Sequence, residues 1–205
     1  MRLTTLLLLL FSSCAAPGIM ICDQAQHRLA LMAADGNWED PDAVLWEWKA
    51  SDSPGIPTEH QSWFTNPTDA KPVLGGDLVL LTASGGGVAL IRLSDKAMLF
   101  YARPGGNPHS AELLPDGAIV TASSTGNSLK LWGPNHSQSP LQTIELSSAH
   151  GLCWIHDPKR LWAIGSEHLY SFEYRGISSI PPLVLDQKFP LPSPGGHDLQ
   201  ARRHS

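Results

Sequence analysis

Three histidines recur at a spacing that invites chemistry. His109, His150 and His197 lie 41 and 47 residues apart, and each opens a short segment of similar character: His-Ser-Ala-Glu-Leu-Leu, His-Gly-Leu-Cys-Trp-Ile and His-Asp-Leu-Gln. Imidazole titrates near neutral pH and is the commonest protein metal ligand. If the three segments are equivalent pieces of a repeat, the rings converge on one axis. They can then hold a metal ion or exchange protons with a substrate. In the preceding unit, alignment sets Ala70 opposite His109 and Lys71 one step further on, which adds a fixed positive charge. Glu112 and Asp198 are carboxylates nearby in sequence. Ser110 follows His109 directly, but neighbours on a strand point to opposite faces, which argues against their pairing as nucleophile and base. The competing role for the three histidines is structural: an imidazole at the start of each repeat, hydrogen-bonded to the next unit and tying the two together.

The elements that would position these residues follow from internal self-similarity. Thr82-Ala83-Ser84-Gly85 and Thr121-Ala122-Ser123-Ser124 are 39 residues apart, each after an apolar run and each before a turn and a second apolar run. A weaker copy runs through Leu161–Ile164 into Gly165-Ser166 and His168–Tyr174, and another through Ile19–Asp23 and Leu29–Met32. Each unit has a further outer stretch: Val44–Trp48, Met98–Tyr101, Leu141–Leu146 and Leu183–Leu185. Three units have an inner one before the strand pair: Ala70–Leu74, His109–Leu114 and His150–Ile155. Four short strands in about 40 residues is the size of a β-propeller blade, whereas a β-sandwich has no reason to repeat Thr-Ala-Ser at one place.

The chain therefore reads as an all-β propeller of four-stranded antiparallel blades. About four are present, at 18–50, 69–104, 108–147 and 149–191, with the start of a further strand at 195–200 and a tail at 201–205. The first blade lacks its innermost strand. Either 196–200 completes it in a ring of four, or the ring is incomplete and the chain is a piece of a larger one. The second is the expectation.

Composition bounds the rest. The chain has 205 residues, 42% hydrophobic, with a net charge of −5 and no basic stripe, which argues against a nucleic-acid partner. Seven Trp, 18 Gly and 17 Pro suit many short strands with tight turns. Arg2, the apolar run Leu3–Phe11 and the small residues from Ser12 to Ala16 have the layout of a secretory signal peptide over 1–16, cleaved near Ala15 or Ala16. The run is too short to span a bilayer, which takes ~20 apolar residues, and no later stretch can. Phe11-Ser12-Ser13-Cys14 is a poor lipobox, so lipid anchoring on Cys14 is not expected. The mature chain keeps Cys22 and Cys153, which an oxidising compartment would allow to pair. Both read better as small buried residues on strands.

Other motifs carry less. Gly85-Gly86-Gly87 lacks the Gly-Lys-Ser/Thr of a phosphate loop and reads as a hairpin turn. Pro104–Pro108 reads as a linker between blades. Asp23, Asp35, Asp40 and Asp42 do not match calcium-loop spacing. Asn135-His136-Ser137 is a glycosylation sequon in a loop. Trp38, Trp46, Trp48 and Trp63 offer stacking faces for sugars, but such side chains more often pack between blades.

Ile21–Ala25, Ala83–Leu90, Gly105–Gly117 and Ala122–Asn127 resemble a family of uncharacterised secreted proteins, best known from bacteria and carrying a domain of unknown function. The resemblance runs from about residue 19 to 200 and implies a propeller. It also implies continuation beyond Gly-His-Asp-Leu, where this chain stops. The blades are similar, generically, to quinoprotein-like and arylsulfotransferase-type propellers. The expected function is binding of a small molecule, glycan or protein by a secreted propeller. The alternative is an extracellular hydrolase, lyase or transferase with its site around His109, His150, His197 and Lys71. A metal ion in the channel is the one cofactor that these residues suggest.

Overall fold

A computed structural model describes residues 17–135 and 138–201. The segment read as a signal peptide, Cys14, most of the sequon and the end of the tail lie outside the described residues.

The chain forms four antiparallel sheets in sequence order. The first has three strands, β1 (Gly18–Asp23), β2 (Arg28–Ala33) and β3 (Val44–Trp48). The other three have four each: β4 (Pro67–Val73), β5 (Leu78–Ala83), β6 (Val88–Arg92) and β7 (Met98–Ala102); β8 (Pro108–Leu113), β9 (Ile119–Ser123), β10 (Ser128–Trp132) and β11 (Gln142–Glu145); β12 (Gly151–Ile155), β13 (Arg160–Ile164), β14 (His168–Tyr174) and β15 (Leu183–Pro190). Every strand pairs with its sequence neighbour, so each sheet is a meander, the topology of a propeller blade. Between the first two blades, residues 49–66 carry a single helical turn, α1 (Thr58–Gln61), among 3-10 turns.

The burial pattern explains why neighbouring sheets stack face to face. β5 and β9 are buried at every position rather than alternately, because both their faces are covered. Val79 and Leu81 face the first blade, packing with Leu29, Trp48 and Phe64. Leu78 and Leu80 face the third, packing with Val88, Ala111 and Ile119. Val120 and Ala122 face the fourth, with Leu152, Leu161 and Phe172. The period of two thus allots alternate side chains of one strand to two inter-blade cores. Full burial of one such side chain contributes about 1.5–3 kcal/mol. The repeated threonine serves the same stack from inside the ladder: Thr82 and Thr121 are both fully buried. Thr82 Oγ1 meets Thr68 Oγ1 at 3.0 Å, and Thr121 Oγ1 accepts from Trp132 Nε1 at 3.2 Å, which satisfies hydroxyls that burial would otherwise penalise.

The innermost strands β4, β8 and β12 line up successively, each packed on the next. The described residues form an arc and not a closed ring. Residues 195–200, expected as the start of a further strand, form no strand and belong to no ladder. Gly195 and Gly196 donate to Ser166 O at 2.7 and 3.1 Å, and Leu199 lies against Gly151. The segment therefore sits against the fourth blade, as β8 sits against the second. No described strand offers it a partner on its other side. No helix among the described residues is long and apolar enough to cross a membrane.

Candidate functional site

Each inner segment is entered through a residue in the left-handed region: Asn66, Asn107, Ser148 and Gly195, with φ of 52°, 56°, 50° and 97°. The first three succeed one another at intervals of 41 residues. At Asn66 and Asn107 the carbonyl accepts from Ser84 and Ser124 N at 2.9 and 3.1 Å, which pins the entry to the hairpin of its own blade. Two residues on stand Thr68, His109, His150 and His197. Five on stand Lys71, Glu112, Cys153 and Gln200.

This frame brings the three histidines together. Ring centroids are 4.5 Å apart for His109–His150, 4.6 Å for His150–His197 and 5.6 Å for His109–His197. One potential ligand nitrogen from each lies within 4.8 Å of the others, and no other such group of His, Cys, Asp or Glu is found among the described residues. His109 and His150 are half-buried and His197 is exposed. Burial, and then the two neighbouring imidazoles, hold His109 below the ordinary imidazole range, so it is unprotonated at neutral pH.

Lys71 is not part of this cluster. The alignment that set it beside His109 was two residues out: Thr68 is the counterpart of His109, and Lys71 that of Glu112. Three residues along a strand is about 10 Å. There Lys71 Nζ donates to Glu112 Oε2 at 2.7 Å and to Leu152 O at 3.0 Å, linking three blades. Ser110 Oγ donates to Asp69 Oδ2 at 3.3 Å and accepts from Leu152 N at 3.4 Å. These groups, with Cys153 and Asp198, line a cavity of about 410 Å³. Burial pushes the Asp69 and Glu112 carboxyls above the usual carboxylate range, and Lys71 pulls both back.

The pairings expected and unexpected of the other candidates are plain. Cys22 and Cys153 are free thiols. Burial, aided by Asp69, pushes Cys22 up to about 12, and burial raises Cys153, so neither is an activated thiolate. His156 accepts from Trp154 Nε1 at 3.2 Å and takes no part in a site with Cys153. Trp48 is buried, Trp63 stacks on His60 at 3.8 Å, and Trp46 donates to Leu93 O and has the Lys96 ammonium over its ring, so among the four Trp named above only Trp38, at 49%, is exposed. Asp69, Asn107 and Ser148 went unnoticed as partners in sequence. The Asn-Pro steps at 66–67 and 107–108, 41 residues apart, were the signal that would have set the register.

Among solved structures, the chain is similar to hydrazine synthase of Kuenenia stuttgartiensis, with 11% identity over 65% of this chain and 38% of that one, at a TM-score of 0.55. It is similar also to dihydro-heme d1 dehydrogenase NirN, with 13% identity over 87% of this chain and 36% of that one, at a TM-score of 0.58. Both likenesses concern the propeller fold. The chain spans under two fifths of the length of either protein. No curated protein matches it. One family model covers residues 16–202, nearly the whole chain, and on that match the protein belongs to DUF6528, a family of unknown function.

Proposed function

We propose that the protein is a secreted binding propeller that holds its ligand at the mouth of the axis between His109, His150 and His197. One observation carries the reading. Three imidazoles from successive units stand in ring contact, and no hydrogen bond among the described residues joins any of them to another blade. A histidine retained to lock blades together would be expected to make such a bond.

Binding is favoured over catalysis by a hydroxyl nucleophile because the nearby hydroxyls are committed elsewhere. Ser110 is bonded to Asp69 and Leu152, and Thr68 Oγ1 donates to Pro108 O at 2.6 Å. Ser148 Oγ does lie 3.2 Å from His150 Nδ1, but that nitrogen is closer to Ser148 O, at 2.9 Å, and must donate its proton there. A ring nitrogen that donates cannot take the hydroxyl proton, so Ser148 is not activated. Purified protein and His109→Ala would be compared on chromogenic ester, phosphate and glycoside panels and in a thermal-shift ligand screen. The expected result is ligand-dependent stabilisation lost in the variant, with no turnover by either protein. Turnover by the wild type that His109→Ala abolishes would replace binding by the enzyme reading.

Secretion is supported by the layout of residues 1–16. Expression with the native N-terminus should give protein in the medium or periplasm that begins just after Ala15 or Ala16. Retention in the cytoplasm with Met1 or Arg2 at the N-terminus would contradict it.

A further inference from the structure

We propose that His109, His150 and His197 form a three-nitrogen site for a divalent first-row transition metal, with at least one coordination position open. This rests on the reading of the axis mouth as the binding site and names its ligand.

The donor set comes first. Three imidazoles with no carboxylate in the group suit Zn²⁺, Cu²⁺, Ni²⁺ or Co²⁺ and not Mg²⁺ or Ca²⁺, which take oxygen ligands. Around a tetrahedral ion with Zn–N of 2.0–2.1 Å, ligand nitrogens stand roughly 3.4 Å apart. The three nitrogens lie within 4.8 Å of one another, so rotation about side-chain torsions can close the set without moving a strand.

The surroundings then orient the rings. His150 donates from Nδ1 to Ser148 O at 2.9 Å, which fixes the tautomer and leaves Nε2 as the free lone pair. His109 Nε2 meets the Asn107 carboxamide at 2.9 Å, and Asn107 Oδ1 is buried without a partner. A half-turn of that carboxamide would set Oδ1 to accept from His109 Nε2–H, leaving Nδ1 as the lone pair, and would require Ser124 Oγ, which now accepts from Nδ2 at 3.1 Å, to turn its proton to Oδ1. Asn107 and Ser148 are thus positioning residues, each two places before its histidine.

The open position follows from the repeat. The fourth equivalent place is Thr68, and its Oγ1 is held by Pro108 O and by Thr82 Oγ1 at 3.0 Å. It does not supply a fourth ligand. Three protein ligands with a remaining place for water or an exchangeable group is the pattern of an accessible metal site, and not of a closed structural one. The exposure of His197 gives the ion a route from solvent.

The test is isothermal titration of chelator-treated full-length mature protein with ZnCl2 and with CoCl2, beside His109→Ala, His150→Ala, His197→Ala and the control His60→Ala. Wild type and His60→Ala should bind one equivalent. Each of the other three should lose at least about 100-fold in affinity, since loss of an orienting partner alone costs 10–100-fold. His197 belongs to no strand ladder, so His197→Ala tests the site without removing a ladder bond. No binding by folded wild type, or binding unchanged in His197→Ala, overturns the metal assignment. If an organic ligand then still stabilises wild type and not His109→Ala, the site reading stands and the metal alone fails. If neither binds, both fail.

Discussion

Lys71→Met should destabilise the protein by about 3 kcal/mol at pH 7, and most of that loss should vanish as the pH falls toward 4.5. The substitution keeps the apolar stem and removes the charge that faces Glu112 at 2.7 Å. Only 14% of the Glu112 side chain is exposed, so its carboxylate rehydrates incompletely in place. It must stay charged and unpaired or take a proton. Holding a proton at pH 7 on a group with an ordinary value of 4.5 costs about 3.4 kcal/mol, at 1.36 kcal/mol per unit, which caps the penalty.

The sign follows from burial. The folded value of Glu112 is raised above the unfolded one, and further so without Lys71, so the folded chain holds the proton over a window that opens near 4.5. Stability is full below that window and is lost as the pH rises through it. Wild type shares a weaker form of this trend, so the gap between the two proteins narrows in acid. Urea unfolding at pH 7 and pH 5 measures it. A loss under 1 kcal/mol at pH 7, or an equal loss at both pH values, would mean that the pair does not hold the three inner strands together.

Gly106→Ala should cost about 3 kcal/mol and Gly105→Ala only about 1 kcal/mol, although the two glycines are adjacent and both left-handed, at φ of 63° and 70°. A Cβ on Gly105 meets nothing within 4 Å and so adds only the backbone strain. A Cβ on Gly106 would run into the backbone of Gly126, in the hairpin between β9 and β10. Backbone cannot swing aside as a side-chain end can, so the linker or the hairpin must shift. The contact also sets the position of the site: Gly126 N donates to Gly106 O at 3.0 Å, and His109 is three residues on. Gly106→Ala should therefore weaken metal binding as well as lower the unfolding midpoint, and Gly105→Ala should leave metal binding alone. Equal destabilisation by the two would show that conformational strain, and not the close approach, is what these positions resist.

The blades were legible in the sequence because each strand repeats a local pattern, and the chain must fold each meander from consecutive segments. Thr82 and Thr121 were visible because burial within a ladder demands a β-branched residue whose hydroxyl finds a partner. Register within the innermost strands was harder. It depends on the left-handed entry at Asn66, Asn107, Ser148 and Gly195, a backbone state that three different residue types adopt. Aligning by side chain alone set Lys71 beside the histidines, where the entry turns set Thr68. The segment 195–200 carried the inner-strand pattern but forms no ladder, since a strand exists only with a partner and no described strand supplies one. The stack of His60 on Trp63 was illegible for another reason: residues 49–65 follow no repeat, and their form is set by the blades they pack between. The triple convergence of His109, His150 and His197 was readable because spacing by whole repeats returns a side chain to the same axis.

Crystals of the mature protein grown with ZnCl2, with data collected on both sides of the zinc absorption edge, test that convergence most directly. The expected result is one anomalous peak bonded to a nitrogen of each of His109, His150 and His197 at about 2.0–2.1 Å, with a further position open toward solvent. Three rings on separate surfaces, or zinc bound elsewhere while the rings stand empty, would contradict it.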